Sequence, residues 1–274
     1  MNWFWIWAIV PMLSFTAVGV FRGMALKFKI LDHPNARSSH QSPIPVGGGF
    51  GIVLVFLVGM IVLYVSEQLN VEVYWGLSLS GFALALIGFF DDLLNIPARW
   101  RIFSHFAIVS WFLFWTDELA FIELIGIKGD LGWGGNVLTA FFLVWMLNLY
   151  NFMDGIDGLA GVETITSTGT VTLIAMFIID ISWELPLILM LSTLGFLFWN
   201  WPPARVFMGD VGSGFLGFNL GALALIHGKE APELFWCWII LLGVFITDST
   251  ITLIRRIIRM QPFYKAHRCH GYQY

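Results

Sequence analysis

The chain has 274 residues, 58% of them hydrophobic and only 12% charged, with a mean hydropathy of +0.80. That composition excludes a soluble domain and leaves an all-α, polytopic membrane helix bundle, one integral membrane domain over 1–274. The net charge of −4 excludes little by itself, and the two cysteines, Cys237 in an apolar stretch and Cys269 in a basic tail, exclude a disulfide framework.

In chain order, about nine apolar segments are expected to be spans: roughly 3–21, 47–65, 74–90, 102–116, 136–150, 161–179, 185–200, 213–227 and 234–254. Several approach the ~20 residues that cross a bilayer and some are shorter. Pro11 is expected to kink the first. The chain begins apolar at Trp3 and its first basic residues follow that span, which is not a signal-peptide pattern. Segment 119–135 is too short to span, and Lys128-Gly129-Asp130 suggests a small hairpin or an interfacial stretch.

Lys and Arg fall on alternate loops: Arg22, Lys27, Lys29 and Arg37, then Arg99 and Arg101, then Arg205, then Arg255, Arg256, Arg259, Lys265 and Arg268. The opposite loops hold Lys128 and Lys229. The basic side is therefore read as cytoplasmic, with the N-terminus outside. The unusual polar residues also gather on that side, in five places. These are the loop from Leu31 to Gly49 with Arg37, His40 and Pro43-Ile-Pro45-Val-Gly-Gly-Gly; Asp91-Asp92; Asn148 to Gly161; Asn200 to Gly214; and the tail His267-Arg268-Cys-His270-Gly-Tyr272-Gln. Five distant segments on one membrane face suggest a single site at the mouth of the bundle.

Asn148, Asn151, Asp154 and Asp157 are spaced by three, which a helix would place on one face. Carboxylates, amides and glycines at the end of a membrane helix suit a metal and phosphate site. Asp91 and Asp92 end the third span, where the helix dipole disfavours them unless a cation is near. Arg99 or Arg101 would supply it in a plain ion pair; otherwise one carboxylate is a base or lies close to a metal. Asp210, before the eighth span, reads either as an N-cap or as a hard oxygen ligand for Mg²⁺ beside a phosphate. Phe207 is membrane packing or a platform for a base. Asn200 caps frayed backbone or supports the Asp210 loop. His267, Arg268 and His270 form a lipid-facing basic flank or a phosphate clamp. The Cys/His spacing of a zinc site is absent. Asp248, in the last span, is a structural hydrogen-bond partner or part of the site, and stays outside the catalytic set.

At these residues the chain resembles the polyprenyl-phosphate N-acetylhexosamine-1-phosphate transferases. Asn151-Phe-Met-Asp154-Gly-Ile-Asp157-Gly-Leu-Ala-Gly161 and Phe207-Met-Gly-Asp210-Val-Gly-Ser213 carry the likeness most specifically, and the tail is closest to the O-antigen-initiating branch. The resemblance implies transfer of a sugar-1-phosphate from a UDP-N-acetylhexosamine to undecaprenyl phosphate, releasing UMP, with Mg²⁺ (Mn²⁺ as a substitute). It implies Asp210 as principal metal ligand and Asp154 beside metal and diphosphate. Asn151 would contact the diphosphate, Asp157 and Phe207 the uracil, and Asn200 the nucleotide pocket. His267, Arg268 and His270 would hold phosphate, and Asp91 and Asp92 would meet the lipid phosphate. It further implies membrane lipid as surroundings, a homodimer by analogy, no nucleic-acid partner, and at least one further span beyond Tyr274, which makes the chain a truncated form. The rival readings are a transporter with a carboxylate-lined cytoplasmic-face site and a CDP-alcohol phosphotransferase. The second lacks its Ala-Arg pair here, because Ala160 is followed by Gly161.

Overall fold

The computed structural model describes residues 4–34, 42–94, 96–116, 133–261 and 270–273. Arg37, His40, Lys265, His267, Arg268, Cys269 and nearly all of segment 119–135 lie outside the described residues. Each of the nine apolar segments is helical. The helices are α1 Phe4–Phe28, α2 Gly49–Val65, α3 Val71–Leu94, α4 Ala98–Trp115, α5 Trp133–Met153, α6 Leu159–Ile174 with a π turn Ala175–Ile179, α7 Glu184–Asn200, α8 Gly209–Glu230, α9 Pro232–Leu241 and α10 Gly243–Ile258. Helix is what the composition demands, because lipid offers backbone amides and carbonyls no partner. The α1 helix continues through Pro11. A two-residue hairpin, β1 Leu31–Asp32 against β2 Ile44–Pro45, joins α1 to α2.

By length and composition, five of the helices can cross a membrane, or six if the bent pair α9–α10 counts as one. That makes the chain a multi-pass membrane protein with fewer qualifying helices than the nine expected spans. Helices α2 and α7, at 17 residues each, are apolar but short, and α4 opens on Arg99 and Arg101. Segment 234–254 departs most from expectation. It breaks at Leu242 and bends by 67°. The physical reason lies in α10, which is two-faced: Val244, Ile251, Ile254 and Ile258 are exposed while Ser249, Thr252 and Arg256 are buried. A straight continuation of α9 would carry those polar groups into lipid, whereas the bend packs them on α5.

Helix α8 is the axis of the molecule, buried from Val211 to Leu225 and packed by α2, α3, α5 and α9. Apolar and small residues surround it on every side, the pattern of a core helix. Its first turn sits tight on α3: a Cβ on Gly88 would lie 2.5 Å from the carbonyl carbon of Asp210. Without a side chain at Gly88, the backbone that carries Asp210 could not reach α3.

Candidate active site

The helix ends meet around Asp210. This residue lies in the first turn of α8, and its carboxylate is not an N-cap. The cap comes from another helix: Asp92 Oδ1, at the end of α3, accepts the Asp210 backbone N–H at 3.1 Å. Capping the positive end of α8 from outside leaves the Asp210 side chain available. Gly209, at φ 73°, makes the turn possible, and a Cβ there would strike Asp92 Oδ2 at 2.5 Å. Asp92 Oδ2 itself is buried and, among the described residues, has no hydrogen-bond donor.

The Asp210 carboxylate turns inward instead. Asn151 Nδ2 donates to its Oδ1 at 2.6 Å and to Ser213 Oγ at 3.0 Å. Arg101 Nη1 lies 3.4 Å from its Oδ2 and also holds Asp91 Oδ2. The backbone N–H of Ile96 donates to Asp91 Oδ1 at 2.7 Å. Of the two adjacent carboxylates, Asp92 braces the turn of α8 while Asp91 shares one guanidinium with Asp210. A pocket opens here between α3, α4, α5 and α8, lined in part by Gly88, Arg101, His105, Asn148, Asn151 and Asp210.

The single-face expectation for the four polar residues holds only in part. Helix α5 ends at Met153, so Asn148 and Asn151 lie on it while Asp154 and Asp157 occupy the turn before α6. Gly158, at φ 78°, closes that turn, and a loop brace replaces helical spacing. Asn200 is buried; its Oδ1 accepts the Gly158 N–H at 2.9 Å and its Nδ2 donates to the Val206 carbonyl at 3.0 Å. Asp157 Oδ2 accepts the Ala204 N–H at 2.8 Å. Phe207 is half-buried and backbone-paired to the first loop, its N–H donating to the Pro45 carbonyl at 2.8 Å. The structure thus ties Asp157, Asn200 and Phe207 into one loop assembly beside Asp154. Burial first, then the charges of Asp92 and Asp157, push the Asp154 carboxyl up to about 7.

The end of the tail joins the same place. Tyr272 Oη donates to the Phe152 carbonyl at 3.0 Å, and His270 is buried beside Asp248. Burial lowers the His270 pKa, and Asp248 partly offsets the shift.

Sequence reasoning read Arg101 only as an ion-pair partner and passed over His105. Their signal was the Arg101-to-His105 spacing of four, one helix face of α4 beside the carboxylate pair. Among the described residues no three His, Cys, Asp or Glu side chains form a ready-made metal cage. What converges instead is a hard-oxygen set in which Asp92 lies in electrostatic reach of both Asp210 and Asp154. That set fits Mg²⁺, which keeps few protein ligands and fills its shell with substrate oxygens and water.

The chain is similar to known proteins over the stretch that carries this geometry. The family model for glycosyl transferase family 4 matches residues 74–228, the stretch holding Asp91, Asp154 and Asp210. The chain is 29% identical over 260 residues to a protein of Bacillus subtilis (strain 168) named as a probable undecaprenyl-phosphate N-acetylglucosaminyl 1-phosphate transferase, covering 92% of this chain and 71% of that one. It is 28% identical over 262 residues to the phospho-N-acetylmuramoyl-pentapeptide-transferase of Oceanobacillus iheyensis, covering 85% and 78%. It is 30% identical over 274 residues to the protein of the same name from Borrelia garinii subsp. bavariensis, covering 85% and 76%. On the matched model and these relatives, the chain belongs to glycosyl transferase family 4.

Proposed function

We propose that the chain transfers N-acetylhexosamine-1-phosphate from a UDP-sugar to undecaprenyl phosphate, giving undecaprenyl-diphospho-sugar and UMP. The observation that carries this reading is the Asp210 carboxylate, held between Asn151 and Arg101 at the half-buried head of α8. Lipid phosphate oxygen bonds to the sugar-bearing phosphorus, the diphosphate P–O bond breaks, and UMP leaves with the electron pair. Two anions must meet, so catalysis is mostly positioning and charge stabilisation. Asp210 and Asp154 are the residues that would hold Mg²⁺ (or Mn²⁺), and the bound ion supplies the charge that offsets the diphosphate.

The chain's own residues do the rest. Arg101 holds Asp91 in the free protein and is placed to take phosphate oxygens bidentately. Asp91 then accepts the remaining proton of the lipid phosphate. Asn151 orients Asp210 and contacts the diphosphate. Asp157, Asn200 and Phe207 shape the uridine side, and His267, Arg268 and His270 hold phosphate. The site faces the cytoplasm, where the nucleotide arrives from water and the prenyl chain from the bilayer. The tail motif supports the O-antigen-initiating branch of surface-polysaccharide synthesis, with UDP-N-acetylglucosamine as first donor to test. The carrier reading is disfavoured because the polar groups sit at helix ends rather than half-way along the helices. A homodimer is the assembly proposed by analogy.

The test is UMP release by purified chain from undecaprenyl phosphate and a panel of UDP-N-acetylhexosamines, with and without Mg²⁺. Release that depends on lipid, metal and Asp210 is the expected result. Release that persists in Asp210→Asn would remove the reading.

A further inference from the structure

Asp248 stands near the middle of α10, where its own helix offers its carboxylate no unpaired backbone N–H. Both of its oxygens face the tail. Oδ1 accepts the backbone N–H of Gly271 at 2.7 Å, across 23 residues of chain, and Oδ2 lies 3.4 Å from His270 Nδ1. The 67° bend between α9 and α10 is what aims this carboxylate at the end of α5 rather than out along the bundle.

A second attachment lies one residue further on. Tyr272 Oη donates to the Phe152 carbonyl, in the last turn of α5, where helix carbonyls lack partners of their own. The phenol covers Gly155 so closely that a Cβ there would lie 2.0 Å from Tyr272 Oη. The rings of Phe152 and His270 stack at 6.3 Å, and those of His270 and Tyr272 at 5.7 Å. The His270 ring is thus sandwiched over the turn that carries Asp154.

We propose that Asp248 is a positioning residue for the transfer reaction: with Tyr272 as second fastening, it seats His270 against the Asp154 turn and sets which ring edge addresses the substrate phosphate. This rests on the reading of His270 as a phosphate contact. The carboxylate faces Nδ1 at ion-pair distance rather than through a formed hydrogen bond, and a charge on that side favours the ring orientation that leaves Nε2 on the opposite edge. A charge-assisted bond to the Gly271 amide fixes the backbone at the same point.

The experiment has two arms on the full chain in detergent. The first is amide hydrogen exchange of the C-terminal peptide in wild type, Asp248→Ala and Asp248→Asn. Faster exchange at Gly271 in Asp248→Ala, with much of the protection kept in Asp248→Asn, is expected. The second is a kinetic double-mutant cycle on UMP release. Asp248→Ala is expected to lower kcat/KM by about tenfold to a hundredfold, the scale of small misplacements. His270→Ala on top of it should add no further loss, because Asp248 acts through His270. A merely structural role would instead make the two losses multiply, and that result, or unchanged kcat/KM in Asp248→Ala, would overturn the proposal. A wild-type chain that makes UMP while Gly271 exchange is the same in Asp248→Ala would overturn the fastening alone. A wild-type chain that makes no UMP, with Gly271 still released in Asp248→Ala, would overturn the transferase reading and the catalytic role built on it.

Discussion

Arg101 is one cation serving two carboxylates, and this makes its chemistry testable by charge and by shape. Arg101→Ala leaves Asp91 and Asp210 close together with no guanidinium between them, and kcat/KM should fall by about a hundredfold, the scale of a lost charge-stabilising donor. Arg101→Lys keeps the charge but not the planar fork, and should recover only part of that loss; full recovery would show that geometry at this position does not matter. Asp154 gives a pH dependence with a definite sign. Its folded pKa, about 7, lies above the 3.8 of an exposed carboxyl. The folded, metal-free protein therefore binds a proton that the unfolded chain has released, and stability falls as pH rises through the interval between those values. In EDTA, the unfolding temperature should decline across that interval. Asp154→Asn should flatten the decline, and Mg²⁺ should restore stability most strongly at its upper end. A pH-independent Tm would place Asp154 in a more solvated setting than the structure gives it.

The helix ends, more than any one side chain, assemble the site. Gly88 lets α3 touch the first turn of α8, so Gly88→Ala should push Asp210 away from Asp91 and Asp92. Overpacking of this kind costs about 1–3 kcal/mol, and the expected signature is a large loss of kcat with the bundle still folded, read by UMP release beside a thermal melt. Asn200→Ala belongs to the same class but acts on stability, because it orphans the Gly158 N–H and the Val206 carbonyl at about 1–3 kcal/mol each. The helices and most of the cluster were legible in the sequence because lipid leaves few options for an apolar backbone, and a carboxylate in that setting stands out. The roles of Asp91 and Asp92 were not legible, since adjacent residues share a composition and differ only in which neighbour each meets. Of the two readings of Asp210, the local N-cap falls away because the actual cap is Asp92, 118 residues away, which near neighbours in sequence could not show. The break at Leu242 was missed for a related reason: the run 234–254 is apolar enough on average to hide that its second half is two-faced.

The whole molecule is a set of helices around one central helix whose half-buried first turn carries Asp210. The polar groups of α3, α4, α5 and α8 converge there, in part through bonds between residues far apart in sequence. Such a site has few independent parts, and deleting a loop brace should act at a distance on catalysis.

One pairing is also local enough in sequence to form early. Asp91 and Arg101 are ten residues apart, on consecutive helices, and can neutralise each other as soon as α4 has followed α3 out of the ribosome. The third member, Asp210, arrives 109 residues after Arg101. Over the 109 residues between Arg101 and Asp210, Asp91 can therefore stand as half of an ion pair rather than as a bare charge. Loss of Arg101 should then show in the yield of inserted protein as well as in the assembled site, which comparing the membrane-inserted amounts of Arg101→Ala and wild type would check.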